Sequence, residues 1–158
     1  MRKICADVFI MGFHRSSHAV WDCRYHLVWS TKYRRRALKD REREACEKLL
    51  RRIAEKYGMN VESLEVDVDH VHLYIEIPPQ RSVGEAVRIL KSISARLMFK
   101  RFPNIKKYLW EGHLWEASYF VRAVGDGVTA EMVKQYIEQH SEKAQISAQL
   151  SLFPKEKA

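Results

Sequence analysis

The sequence predicts an α+β fold of the ferredoxin-like (RRM-like) kind, an antiparallel sheet with helices packed on one face. Segments that alternate like strands interleave with segments of helical spacing in the order β-α-β-β-α-β-α. The chain of 158 residues fits one domain, and its 46% hydrophobic residues supply a core without disulfides. Because this topology is a common scaffold, the function has to be argued from particular residues.

The first half of the chain supplies a strand, a helix and a strand pair. Branched and aromatic residues alternate in the first strand, and apolar residues recur at helical spacing in the helix, which Gly58 caps. The two later strands are expected to turn around Asp67 to Asp69. In chain order these elements are strand Val20–Trp29, helix Lys39–Tyr57, strand 59–68 and strand Asp67–Pro78.

The second half supplies two helices and a strand. Ser82 begins a helix that runs to about Arg101, and Glu85 completes a capping box. A strand at 117–124 and a break at 125–127 precede a last helix capped by Thr129. We therefore divide the chain into an N-terminal extension (1–16), one catalytic domain (17–148) and a C-terminal tail (149–158).

The charge of the chain points to an anionic partner. Lys and Arg number 28 against 20 Asp and Glu, which gives a net charge of +8, and such an excess on a small domain is typical of nucleic-acid binding. The three cysteines lack disulfide or zinc spacing, and no apolar run approaches transmembrane length. We expect a cytoplasmic protein without a membrane partner.

Two histidines one residue apart, His70 and His72, stand out in the strand DVDHVHLYIEIP. Because strand side chains alternate between faces, Val71, Leu73, Ile75 and Ile77 are predicted to face the core, and His70, His72, Tyr74 and Glu76 the open side. Two such imidazoles can share a divalent metal. Alone, however, the pattern is more typical of a solvated sheet face than of a metal site.

Tyr136 and His140 lie four residues apart, which places them on one face of the last predicted helix. A helical tyrosine is usually a packing residue, but a phenol can also act as a covalent nucleophile, and a divalent cation makes its attack on a phosphate feasible. His140 would then be a third ligand beside His70 and His72. The residues alone leave both interpretations open.

Four blocks in specific order and spacing identify a family. They are YHLVWSTKYR (Tyr25–Arg34), DHVHLYIEIP (Asp69–Pro78), LWEASYFVRAVG (Leu114–Gly125) and VKQYIEQH (Val133–His140). In these blocks the chain resembles the single-tyrosine HUH transposases, the IS200-like family of small insertion sequences that move as single-stranded DNA. The resemblance extends from about Ser17 to His140 and implies the HUH-endonuclease type of fold.

The resemblance implies a role for each matching residue. His70 and His72 would bind Mg²⁺ or Mn²⁺, and Tyr136 would cut one DNA strand and stay attached to its 5′ phosphate. A free 3′ hydroxyl would then attack a second phosphotyrosine and rejoin strands. The family's third ligand, four residues after the tyrosine, is usually glutamine; here it is His140, with Gln139 beside it, and helical geometry favours His140.

The resemblance also implies partners. The family acts as a homodimer in which the tyrosine helix serves the partner's histidine pair, and it recognises hairpins in single-stranded DNA; no other protein partner is predicted. Two basic sets are candidates for phosphate contacts, and Tyr33 for stacking on unpaired bases. The sets are Lys32, Arg34, Arg35 and Arg36 in the first loop, and Arg88, Lys91, Arg96 and Lys100 on the second helix.

Three alternatives to a mobile-element transposase stay open. The chain could be a domesticated relative that processes chromosomal repeat hairpins, or a noncatalytic module that stacks bases on its sheet as ferredoxin-like RNA-binding domains do. It could also be a hydrolytic metalloenzyme, which would need a metal-activated water and gives Tyr136 no role.

Overall fold

A computed structural model of the protein describes residues 14–109 and 112–125. In chain order three strands precede the first helix, two strands separate it from the second helix and one strand follows, with short 3-10 turns at Lys32–Arg34 and Pro103–Tyr108. The helices are α1 (Asp40–Lys56) and α2 (Val83–Arg101), and the strands are β1 (His14–Arg15), β2 (Val20–Trp21), β3 (Arg24–Ser30), β4 (Asn60–Val66), β5 (His70–Glu76) and β6 (Phe120–Val124).

Four of these strands form one antiparallel sheet in the order β4-β5-β3-β6. Strand β3 pairs with β5 on one side, with Leu27 opposite Leu73, and with β6 on the other, with Val28 opposite Phe120. The connections β3-α1-β4 and β5-α2-β6 give the ferredoxin-like arrangement, so the predicted α+β fold is confirmed.

The hydrophobic core lies between the sheet and the two helices. Apolar side chains of β3 and β5, among them Leu27 and Leu73, are fully buried against Leu50 of α1 and Leu90 of α2. The core side of the predicted strand Asp67–Pro78 was therefore predicted correctly, because Val71, Leu73, Ile75 and Ile77 all belong to this cluster. Burial of this apolar surface is the main force that holds the helices on the sheet.

Local signals in the sequence set the helix boundaries. Gly58 follows α1 with a φ of 70°, a left-handed conformation that glycine adopts without steric cost. At the start of α2 the Ser82 hydroxyl accepts a hydrogen bond from the Glu85 backbone N–H at 3.1 Å, as a capping serine does. The Glu85 carboxylate accepts from the Arg81 guanidinium at 2.7 Å.

The predicted strand Val20–Trp29 is two strands, which corrects the sequence prediction. Val20 and Trp21 pair with His14 and Arg15 in a separate two-stranded hairpin, and only Arg24–Ser30 joins the main sheet. Alternation continues through both segments, so it could not reveal where the chain changes its pairing partner. The hairpin also gives the last residues of the predicted extension a defined structure.

The described ranges contain no helix that is both long and apolar enough to cross a membrane. The predicted helix that begins at Thr129 lies outside the described residues, as do residues 1–13 and the predicted tail at 149–158. The division into extension, catalytic domain and tail accordingly stays a prediction.

Candidate active site and nucleic-acid interface

The histidine pair lies on β5, between β3 and β4, on the sheet face opposite the helices. His70 is opposite Ser30 and His72 is opposite Val28, and the strand alternation directs both imidazoles to the same side. Their ring centroids are 5.2 Å apart with the ring planes 84° to one another. The two rings are thus close neighbours, as the sequence predicted.

The face that carries these histidines is buried, and the expectation of an open, solvated face is wrong. His70 and His72 are each 5% exposed, Glu76 is 4% exposed and Tyr74 is fully buried. Contributions to this second buried layer come from β3, whose His26 stacks on His72, and from the β1–β2 hairpin, whose His14 lies 2.8 Å from the Glu76 carboxylate. Both covering groups are distant from β5 in sequence.

Asp69 contacts His70 directly. Its Oδ1 lies 2.6 Å from Nδ1 of the His70 ring, and its Oδ2 lies 3.7 Å from the Arg34 guanidinium. Partial burial raises the pKa of Asp69, but the hydrogen bond with His70 and the charges of Arg34 and Arg36 outweigh it and lower the pKa overall. An ionised carboxylate therefore faces Nδ1 of the first histidine.

His26 contacts Nδ1 of His72, as Asp69 contacts Nδ1 of His70. Its Nε2 lies 3.1 Å from Nδ1 of His72, and the two rings stack with centroids 5.4 Å apart. Burial, together with the charge of Arg122, lowers the pKa of His26 to about 4, so His26 is neutral near pH 7. Phe120 packs edge-on against the other side of His26 at 6.3 Å.

This arrangement fits a divalent metal at the Nε2 atoms of His70 and His72. Each ring has a polar partner at Nδ1, and a ligating histidine characteristically donates its other N–H to such a partner. Within residues 14–109 and 112–125 no cluster of three or more His, Cys, Asp or Glu side chains completes a site. The Asp67 carboxylate lies 4.0 Å from Nε2 of His70.

The predicted nucleophile and the predicted third ligand lie beyond Gly125, outside the part of the chain that the structure describes. Tyr136, His140 and the neighbouring Gln139 lie outside the described residues, so their positions relative to the histidine pair stay predictions. Gly125, which begins the predicted break before their helix, is the last described residue and is exposed.

The basic loop after β3 is held in an unusual backbone conformation. Tyr33 and Arg34 have φ values of 54° and 52°, in the left-handed region that non-glycine residues rarely adopt. Glu116 stabilises this conformation: its carboxylate accepts hydrogen bonds from the Lys32 ammonium at 3.0 Å and from the Tyr33 backbone N–H at 3.1 Å. Lys32 also lies over the Tyr33 ring at 4.7 Å.

A basic and aromatic cavity of about 710 Å³ opens beside this loop. One wall comes from the predicted DNA-contacting residues, and the other comes from the 3-10 turn after α2, which sequence reasoning missed. Lys39 lies over the Tyr108 ring at 5.0 Å and adds another cation near the opening. The lining includes Tyr33, Arg34, Arg35, Arg36, Lys107 and Tyr108.

The cations predicted on α2 have different surroundings. The Lys91 ammonium donates to the backbone carbonyls of Ala117 and Ser118 at 3.1 and 3.2 Å, and it also contacts the Glu116 carbonyl. Burial lowers the pKa of Lys91 to about 8. Lys91 thus fastens α2 to the segment before β6, whereas Arg88, Arg96 and Lys100 are exposed.

Sequence reasoning missed His26, Asp69 and Glu116 as residues of the site. Asp69 and Glu116 stand inside the family blocks, but a carboxylate beside a histidine or after a tryptophan has no spacing that distinguishes it from a surface acid. His26 also stands inside a family block, at a strand position with no histidine spacing around it. The pairing of β3 with β5, which places His26 opposite Tyr74 and beside His72, would have been the signal.

Comparison with known proteins supplies the family. The family model for IS200-like transposases matches residues 19–140. The chain is 38% identical over 124 residues to the ISDra2 transposase TnpA of Deinococcus radiodurans, covering 78% of this chain and 88% of that protein. It is 33% identical over 143 residues to the transposase of insertion sequence element IS200 from Salmonella typhimurium, covering 90% of this chain and 93% of that protein.

Solved structures agree with the sequence comparison. A crystal structure of a candidate transposase from Deinococcus radiodurans superposes with a TM-score of 0.67 at 39% identity, covering 80% of this chain and 96% of that one. A REP-associated tyrosine transposase bound to a REP hairpin shares the fold, with a TM-score of 0.52 at 10% identity over 92% of this chain and 90% of that one. The family match over residues 19–140, together with these relatives above 30% identity, shows that this chain belongs to the IS200-like transposase family.

Proposed function

We propose that the protein cleaves and rejoins single-stranded DNA at the hairpin-bearing ends of its own insertion sequence, through a covalent bond between Tyr136 and a 5′ phosphate. The observation that carries the proposal is the buried pair His70 and His72, whose Nδ1 atoms both have polar partners, in a chain of the transposase family. Such a pair suits a metal-assisted reaction of phosphate esters.

His70 and His72 would hold a divalent ion, Mg²⁺ or Mn²⁺, with His140 as the third ligand. The bound ion would polarise the scissile phosphate and stabilise the charge that develops on it. Imidazole ligands favour Mn²⁺ over Mg²⁺, which prefers oxygen donors. We therefore expect Mn²⁺ to support the reaction at lower concentration than Mg²⁺.

The reaction itself is a transesterification. The Tyr136 phenol oxygen attacks phosphorus, the bond from phosphorus to the 3′ oxygen breaks, and the phenol proton is balanced by the proton that the released 3′ hydroxyl gains. In the reverse sense, a 3′ hydroxyl attacks the phosphotyrosine and releases the phenol. One ester replaces another in each direction, so rejoining needs neither water nor a nucleotide cofactor.

The basic loop and the turn after α2 would bind the DNA. Arginines at 34, 35 and 36 can neutralise phosphates, and the tyrosines at 33 and 108, each about half exposed, can stack on unpaired bases. Lys32 and Lys91, which the sequence also suggested, contact Glu116 and backbone carbonyls, so we assign Lys32 to holding the loop and Lys91 to holding the segment before β6. Arg88 on α2 is a further candidate for a phosphate contact.

The active site is proposed to be shared between two subunits of a homodimer. In this arrangement Tyr136 of one subunit serves the histidine pair of the other. Mixing a Tyr136→Phe subunit with a His70→Ala subunit would then restore one complete site, and this complementation would be absent from a monomeric enzyme that acts in cis.

The relatives favour mobilisation of the element itself over processing of chromosomal repeats. The ISDra2 transposase and the transposase of insertion sequence element IS200 are each more than 30% identical to this chain, whereas the REP-associated transposase, at 10% identity, matches in fold alone. The buried histidine face also offers little for a noncatalytic module, because base stacking on a sheet requires exposed rings.

The test is incubation with single strands that cover the DNA on both sides of the coding sequence. Each strand is offered separately, with its duplex as a control, in Mn²⁺, in Mg²⁺ and in EDTA. We expect a denaturant-resistant protein–DNA adduct with one strand only, absent from the duplex and from EDTA. Tyr136→Phe should abolish the adduct, and Tyr57→Phe, which removes a phenol at the end of α1, should retain it.

Two outcomes would contradict the proposal. An adduct that persists in Tyr136→Phe would show that another residue is the nucleophile. Cleavage that leaves a free 5′ phosphate without any adduct would instead favour the hydrolytic metalloenzyme, in which water is the nucleophile.

A further inference from the structure

The candidate metal ligands His70 and His72 contact different residues through Nδ1, namely Asp69 and His26. Neither Asp69 nor His26 takes part in the reaction proposed above. The carboxylate of Asp69 contacts Nδ1 of His70 at 2.6 Å, and the imidazole of His26 contacts Nδ1 of His72 at 3.1 Å. Asp69 reaches its partner from the adjacent position of the chain, and His26 reaches its partner from β3. The two contacts are therefore built independently.

The position of Asp69 is fixed by its backbone as well as by its side chain. The Asp69 carbonyl accepts hydrogen bonds from the Thr31 backbone N–H at 2.9 Å and from the Thr31 hydroxyl at 3.2 Å. The Asp67 N–H donates to the His70 carbonyl at 2.8 Å and closes the turn. Replacing the carboxylate should therefore leave the turn in place.

The position of His26 is fixed by packing. It is 5% exposed, with His72 stacked on one side and the edge of Phe120 on another. Its place on β3, opposite Tyr74 of β5, aligns it with the ligand strand through seven paired residues. With its own proton on Nδ1, the His26 ring can accept a hydrogen bond at Nε2 from Nδ1–H of His72 without moving.

We propose that Asp69 and His26 are positioning residues that keep the protons of His70 and His72 on their Nδ1 atoms. An imidazole with its proton on Nδ1 presents the lone pair of Nε2, which is the atom that a metal can coordinate. This inference rests on the proposed function, because it assigns to each metal ligand the partner that selects its tautomer. It adds two residues that do not themselves touch the metal or the DNA.

The physical reason is that a free neutral histidine divides its proton between two tautomers, and only one of them can bind through Nε2. A carboxylate at 2.6 Å strongly favours the Nδ1–H form, since the hydrogen bond is charge-assisted. A neutral imidazole acceptor gives a weaker bias. The loss of Asp69 should accordingly lower the metal affinity more than the loss of His26 does.

The test measures tautomers and metal affinity in the full-length protein without DNA. Long-range ¹H–¹⁵N spectra of the metal-free protein report which ring nitrogen of His70 and His72 carries the proton. We expect Nδ1–H for both, a shift towards Nε2–H at His70 alone in Asp69→Ala, and the same shift at His72 alone in His26→Phe. A Mn²⁺ titration should show affinity 10–100-fold weaker in Asp69→Ala, the usual range for such partners.

Two further variants serve as controls. Asp69→Asn keeps an oxygen that can accept from Nδ1, so it should lose less Mn²⁺ affinity than Asp69→Ala, and it replaces that variant if alanine prevents folding. Asp40→Ala removes an equal charge from an exposed site at the start of α1 and should bind Mn²⁺ within about twofold of the parent.

The outcomes separate this inference from the proposed function. If Asp69→Ala left the His70 tautomer unchanged and bound Mn²⁺ within about twofold of the parent, the role of Asp69 would be overturned. If His26→Phe left the His72 tautomer unchanged, the role of His26 would be overturned. If the parent protein bound no Mn²⁺, the metal part of the proposed function would fail. The ring spectra would still decide whether Asp69 and His26 set the tautomers.

Discussion

Glu116 should hold the basic loop in its unusual conformation, and its replacement gives a stringent test of this role. Left-handed backbone costs about 1–2 kcal/mol for a residue with a side chain, so Tyr33 and Arg34 together cost about 2–4 kcal/mol. One hydrogen bond to a charged group contributes about 1.5–3 kcal/mol, and the partly exposed Lys32–Glu116 ion pair adds little to this. We expect Glu116→Ala, which removes the bonds to Lys32 and to the Tyr33 N–H, to lower the free energy of unfolding by about 1.5–3 kcal/mol.

Urea denaturation followed by circular dichroism measures this loss, which corresponds to about 3–12 °C in Tm for a protein of this size. Glu55→Ala, at an exposed position on α1, is the matched control. Tyr33→Gly relieves backbone strain at φ 54° only while the loop is held in this conformation, so it should be more costly in the Glu116→Ala background, where the loop can relax, than in the parent. A loss below about 0.5 kcal/mol in Glu116→Ala, or purely additive double-variant energies, would refute the reasoning.

The same contact predicts a dependence on pH. Partial burial raises the pKa of Glu116, but the hydrogen bonds with Lys32 and Tyr33 outweigh it and bring the pKa below the usual 4.5. As the pH falls below that value the unfolded chain binds a proton before the folded chain does, so stability is lost. Glu116→Gln should therefore show a smaller loss of stability between neutral and acidic pH than the parent.

Three further predictions concern binding and assembly of the site. Arg35→Ala and Arg36→Ala should each reduce by about 1 the slope of log affinity for hairpin DNA against log salt, measured by fluorescence anisotropy, and an unchanged slope would remove that arginine from the interface. Lys91→Met should lower Tm and leave the salt slope unaltered, because its ammonium is engaged by backbone carbonyls; a reduced slope would return Lys91 to the DNA contacts. His140→Ala should weaken Mn²⁺ dependence of cleavage more than Gln139→Ala does, and the opposite order would make Gln139 the third ligand.

Much of the fold could be predicted from the sequence because its signals are local. Alternation placed Val71 and Leu73 in the core, and Ser82 and Gly58 marked helix ends through their own capping chemistry. The division of the first strand escaped prediction because pairing partners are chosen by distant segments. Strand β2 pairs with His14–Arg15, and nothing in the local pattern of Val20–Trp29 records that choice.

The candidate site was predictable only in part for a related reason. Spacing identified His70 and His72, but His26 and the β1–β2 hairpin contact their face only through tertiary structure. The left-handed conformation of Tyr33 has no residue signature, since neither glycine nor asparagine occupies that position. The cavity beside the loop joins Tyr33 to Tyr108, far apart along the chain.

The central claim is a covalent bond between Tyr136 and DNA, and mass spectrometry of the adduct tests it most directly. The protein is incubated with the reactive single strand and Mn²⁺, and the adduct is digested with trypsin and nuclease. We predict that the peptide containing Tyr136 gains the mass of a nucleotide, joined through its 5′ phosphate to the tyrosine oxygen. A nucleotide on any other residue, or on Tyr136 through a 3′ phosphate, would contradict the account.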